Sequence, residues 1–146
     1  MRNRYKALTL VILQFLLILI LLLNTPLHSI NIVGYCFIAL SVGLVIWSVW
    51  VMQKSKIRIM PQPSPQAILI TSGPYQLIRH PMYTSILLGA TGLIINNIAW
   101  FNVSIFIALI IVLIIKLSWE EKMLQEKFSE YKLYMQSTSR IIPWVY

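Results

Sequence analysis

The stretch "LIRHPMYTS", Leu77 to Ser85, sets an arginine and a histidine against a proline in a chain that is 58% hydrophobic and only 11% charged. Cations in that setting either anchor to lipid headgroups or hold an anionic ligand. The chain offers few partners for either role: it has no aspartate, and its four carboxylates, Glu120, Glu121, Glu126 and Glu130, fall in one short segment. Tyr75, Arg79, His80 and Tyr83 from the first segment, with Lys116, Glu120 and Glu121 from the second, make the candidate cluster. Lys116 and Glu120 stand four apart and share one side of a helix. A helix N-terminus with Arg and His beside it suits a carboxylate, while glutamates and tyrosine faces suit an ammonium, a sulfonium or ribose hydroxyls. The set fits a zwitterionic ligand.

Other chemistries lack their residues. With two histidines, His28 and His80, and no HExxH or CxxC pattern, no metal site is expected. There is no GxSxG elbow and no P-loop, and five glycines never fall as GxGxxG, which argues against a soluble-type dinucleotide site. The lone Cys36 cannot form an intrachain disulfide.

The elements that must position the cluster are membrane spans. Soluble domains are roughly 25% charged, and the mean hydropathy here is +0.77. Ala7 to Leu23 and Ile30 to Met52 carry no formal charge and approach or exceed the roughly 20 residues a crossing needs. No small-residue cleavage site follows the first run, so it reads as an uncleaved span. Asn96-Asn97 divides a third apolar region into a short segment over 82–95 and a span over 98–117. Net charge is +8, but the cations collect at the N-terminus, in the 54–79 connection and in the tail. The intervening connections "NTPLHS" and "NN" carry no Lys or Arg. That alternation predicts about four transmembrane helices with both ends and the site cytoplasmic, and makes nucleic acid an unsuitable partner.

Between spans two and three, Pro61, Pro63 and Pro65 forbid a regular helix and favour an extended path, either an ordered strap or a flexible cytosolic loop. Ser72-Gly73-Pro74 reads as a turn, and Pro81 suits the first position of the third helix. Ser85 and Gly89, with Gly92 nearby, predict close helix packing. After the last span, Leu117, Leu124, Phe128, Tyr131 and Met135 define one face of an amphipathic C-terminal helix over 118–136. Glu121 falls on that face and therefore needs a cationic partner. Pro143 breaks the helix, and Trp144 and Tyr146 suit an interfacial anchor. The whole chain reads as one all-α membrane domain, residues 1–146.

"TSGPYQLIRHPMY", then "EEKMLQEKFSEYKLY" and "RIIPW", resembles the integral-membrane methyltransferases of the isoprenylcysteine carboxyl methyltransferase and phospholipid methyltransferase superfamily. The ordered combination of GPY, RHPxY, EExxL, FxxxY and a terminal IP carries the resemblance, from about Ala67 to Trp144. It implies an enzyme that binds S-adenosylmethionine at the cytosolic end of the last spans. The implied cofactor-binding residues are Ala67, Ile68, Leu69, Ile70, Tyr75, His80, Pro81, Met82, Tyr83, Glu120 and Glu121. Arg79, His80 and Glu121 are the implied catalytic residues, and Lys116 and Arg79 are implied to bind the acceptor. Where the isoprenylcysteine enzymes have an arginine, this chain has Lys116, which lacks the bidentate planar fork. Ser129 replaces a common glycine. The implied reaction is methyl transfer to a hydrophobic, lipid-like or prenylated acceptor, isoprenylcysteine-methyltransferase-like by preference. The alternatives are a phospholipid amine N-methyltransferase and, from another class, a non-enzymatic membrane subunit or lipid-binding protein.

Overall fold

The computed structural model describes residues 2–26, 28, 30–53 and 68–145. The proline strap, Ala67 and Tyr146 lie outside the described residues. The described chain is helical: α1 (Arg2–Asn24), α2 (Ile32–Met52), a 3₁₀ turn (Gly73–Gln76), α3 (Pro81–Ile94), α4 (Trp100–Lys127) and α5 (Tyr131–Ser137). Three helices, α1, α2 and α4, are long and apolar enough to cross a membrane. With 14 residues, α3 extends about 21 Å at the helical rise and falls short of a hydrocarbon core about 30 Å thick.

The surface explains why these helices need an apolar solvent. Leu40, Ile46 and Trp50 on α2 are each more than 60% exposed, which water would penalise and lipid would not. The core instead gathers Leu17 and Leu21 of α1, Ala90 and Leu93 of α3, and Leu109, Leu113 and Leu117 of α4.

The helices pack mainly in two pairs, α2 against α3 and α1 against α4. Gly34 and Gly92 bring the α2 and α3 backbones together: a Cβ on Gly92 would stand 2.7 Å from the Gly34 carbonyl oxygen. Ser41 Oγ donates to the Ser85 carbonyl at 2.6 Å further along the same seam, so the small residues pack as expected. Among the described residues, α1 and α2 share at most a sparse contact.

At one end of the bundle, asparagines close the connections. Asn31 caps α2 by accepting from Gly34 N at 2.9 Å, and its own N–H donates to Asn96 Oδ1 at 2.7 Å. Asn97 Nδ2 donates to the Asn24 carbonyl at 2.9 Å. The opposite end gathers the C-terminus of α2, the 3₁₀ turn, the start of α3 and the last turns of α4. Gly73 makes that turn possible with φ of +62°, and its missing Cβ leaves room for Val51.

The expected separate helix over 118–136 is not what forms. Helix α4 runs unbroken through the end of the apolar region to Lys127, because good helix formers continue it. It stops where Phe128 turns extended (φ −116°, ψ 113°), and a turn at Ser129-Glu130 leads into α5. The apolar stripe nevertheless faces inward, with Leu117, Glu121 and Tyr131 buried.

Candidate active site

His80 precedes Pro81 with a non-helical backbone (φ −124°, ψ 59°), and Pro81 opens α3 at its first position. The C-terminal tail fixes this segment. Arg79 N–H donates to the Ser139 carbonyl at 2.8 Å, His80 N–H to the Arg140 carbonyl at 3.1 Å and Ser139 N–H to the Leu77 carbonyl at 3.1 Å, beside a parallel bridge between Ile78 and Ser139. Thr84 Oγ1 donates to the Ile141 carbonyl at 2.8 Å. The histidine is therefore positioned by residues about sixty further along the chain.

The two carboxylates of the EE pair divide. Glu121 is 1% exposed, and its Oε1 meets Arg79 Nε at 2.8 Å while its Oε2 meets Arg140 Nη2 at 3.0 Å. Arg79 Nη1 also donates to the carbonyls of Met135, at 3.0 Å, and Thr138. This is the cationic partnership the apolar stripe required. Glu120 points elsewhere: its Oε2 accepts from Tyr83 Oη at 2.7 Å. His80 sits between the pair, with Nδ1 3.9 Å from Glu120 and Nε2 3.5 Å from Glu121, and stacks on Tyr83 at 5.4 Å.

Two cavities meet at these residues. The inner, about 310 Å³, is walled by Val11, Gln14, Phe15 and Ile18 of α1, Val45 of α2, Pro81, Met82, Tyr83 and Ile86 of α3, and Lys116 of α4. The outer, about 80 Å³, is walled by Leu69, Ile70, Leu124, Tyr131 and Tyr134. Met52, Tyr75, Arg79, His80 and Glu120 line both. Burial raises the pKa of the Tyr75, Tyr131 and Tyr134 phenols, so they stay protonated at neutral pH. Tyr134 Oη donates to the Tyr75 carbonyl at 2.6 Å.

The cluster read from sequence thus comes together, with two exceptions among the described residues. Ile68 is 63% exposed and lines neither cavity. Glu121 also lines neither, because its carboxylate is turned toward the two arginines. Sequence reasoning missed Gln14, Met52, Tyr131, Tyr134, Thr138 and Arg140. Gln14 carried a signal, since it is the only amide in the Ala7 to Leu23 run and intramembrane polar residues mark functional sites. Arg140 had none beyond the unpaired demand of Glu121.

Three helices apolar and long enough to cross a membrane stand around a pocket whose lining carries Arg79, His80, Lys116 and Glu120. A model of the phospholipid methyltransferase family matches residues 29–131, and the chain belongs to that family. The match covers well over half the chain and places it in the membrane methyltransferase superfamily to which its motifs pointed. Membership indicates methyltransferase activity. No curated protein and no solved structure matches the chain.

Proposed function

We propose that the protein transfers a methyl group from S-adenosylmethionine to a hydrophobic or lipid-like acceptor. The observation that carries this reading is the meeting of two cavities at His80 and Glu120, the outer walled by Tyr131 and Tyr134 and the inner by the apolar Val11, Phe15 and Ile18 of α1. The donor set at the junction fits the cofactor. Glu120 offers a carboxylate to a cationic centre or ribose hydroxyls, and Tyr75, Tyr131 and Tyr134 offer aromatic faces. The outer cavity is too small to enclose such a molecule, so its chemistry rather than its volume supports the fit. When bound, S-adenosylmethionine supplies an already activated methyl group.

The chain's own residues then have to align two ligands and exclude water, which needs few titratable groups. Tyr83 fixes the Glu120 carboxylate, and stacking on Tyr83 fixes His80. Arg79 and Glu121 act as positioning residues, holding the His80 segment and the tail against α4. The inner cavity, walled by the exposed Phe15 of α1 and by Val45 of α2, suits lateral entry of an acceptor from the bilayer. We place this end of the bundle in the cytoplasm, following the distribution of Lys and Arg.

Two acceptor chemistries fit. Arg79-His80-Pro81 together with the Glu120-Glu121 pair supports a carboxylate of the isoprenylcysteine kind, whereas family membership supports a phospholipid amine. Radiolabelled methyl transferred to a carboxylate forms a base-labile ester, and methyl transferred to an amine resists base. The cofactor reading is tested by calorimetric titration with S-adenosylhomocysteine. Saturable binding is expected, weakened roughly tenfold or more by Glu120→Gln and His80→Ala with the fold retained. Absence of binding up to millimolar concentration refutes it and favours a non-enzymatic lipid-binding subunit.

A further inference from the structure

Gln14 interrupts the apolar run of α1, yet it is 4% exposed and its Oε1 accepts from Lys116 Nζ at 2.9 Å. Lys116 is 7% exposed, and its ammonium lies 5.0 Å from the centre of the Tyr83 ring. Burying such a pair between membrane helices is costly, and intramembrane ionisable groups mark ligand pathways. Both residues line the inner cavity and neither lines the outer one. An ammonium has three N–H donors; Gln14 takes one and Tyr83 shields one side, which leaves donor capacity toward the cavity. Of the other charged groups on this wall, Arg79 is engaged by Glu121 and the tail carbonyls, and Glu120 Oε2 accepts from Tyr83.

We propose that Gln14 and Lys116 form an anion-binding subsite that holds a phosphate or carboxylate oxygen of an amphiphile, with its chain along Val11, Phe15 and Ile18. Lys116 lies one helical turn, about 6 Å, from Glu120 along α4. On the methyltransferase reading, on which this clause rests, the bound anion is a second handle on the acceptor, set apart from the methylated atom. Gln14 is a positioning residue, holding the ammonium in place from a helix outside the family match over 29–131.

The test uses photoreactive diazirine probes that share one long alkyl chain and differ in head: phosphate, carboxylate or hydroxyl. The full-length protein is reconstituted in phosphatidylcholine nanodiscs, and labelled residues are mapped by mass spectrometry. Charged probes are expected to label α1 around Phe15 roughly tenfold more than the alcohol, and the stronger of the two identifies the source of the anion. Lys116→Arg should keep the preference and Lys116→Met should abolish it. Gln14→Glu is decisive, because it preserves size and the link to Lys116 but neutralises the ammonium. Loss of the preference supports the subsite, and its retention shows Gln14 to be merely structural and overturns the proposal. Equal labelling by all three probes in the unaltered protein also overturns it. S-adenosylhomocysteine titration of the same samples separates the two readings: retained cofactor binding without head preference sinks the subsite alone, and absent binding sinks the methyltransferase reading while labelling still decides the subsite.

Discussion

The two ends of the bundle are closed by different chemistry. At the end away from the cavities, Asn31, Asn96, Asn97 and Asn102 tie connections together through neutral amides. At the site end, Arg79, Arg140, His80, Glu120 and Glu121 form a charged network that ties the residues before α3 and the C-terminal tail to α4. Amides satisfy backbone groups without demanding a counterion, whereas buried charges carry a desolvation cost that only good geometry offsets. Part of that charged network, Arg79, Glu121 and Arg140, ties the tail to α4, whereas Glu120 and His80 face the cavities, where the proposed function gives them a ligand to meet.

The largest expected effect follows from the division of labour within that network. Glu121→Ala leaves the Arg79 and Arg140 guanidinium groups without their shared carboxylate and should cost about 3–5 kcal/mol of stability, read by thermal unfolding in detergent. The paired variant, Glu120→Gln, keeps a hydrogen-bonding group beside Tyr83 and should leave unfolding nearly unchanged while weakening S-adenosylhomocysteine. Equal loss of stability in both would erase the distinction between a clamp and a ligand contact.

Much of this was legible in the sequence, for physical reasons that also mark its limits. Periodicity aimed Glu121 inward and demanded a cation, and Pro81 located the start of α3. What could not be read was which cation answers: Arg140 approaches Glu121 only because the tail pairs with Leu77 to His80, a long-range contact with no local signature. The start of a separate C-terminal helix was likewise misplaced: loss of apolar character after Leu117 does not break the helix, and α4 continues until Phe128.

The opposite end yields a smaller, purely structural effect. Gly92→Ala places a Cβ against the Gly34 carbonyl, where backbone rather than a flexible side chain must shift. Overpacking of this kind costs about 1–3 kcal/mol. The loss should appear in thermal unfolding with S-adenosylhomocysteine affinity preserved in the folded fraction. Reduced affinity would mean that the α2–α3 seam transmits strain to His80, and that the two ends are not independent.

The smallest effect tests the asparagine closure itself. Asn96 both receives the Asn31 N–H at 2.7 Å and donates to the Gly92 carbonyl at 2.8 Å, so Asn96→Ala removes two hydrogen bonds at once. Asn31 is exposed, and water can replace the lost acceptor, which limits the cost to about 1 kcal/mol. Asn96→Asp should stabilise relative to alanine, because it restores the acceptor beside the start of α2, where a negative charge is favoured. If aspartate is instead no better than alanine, the Asn96 amide N–H to Gly92 is the stronger half of the closure. The far end would then be held by the α3 C-terminus rather than by the cap of α2.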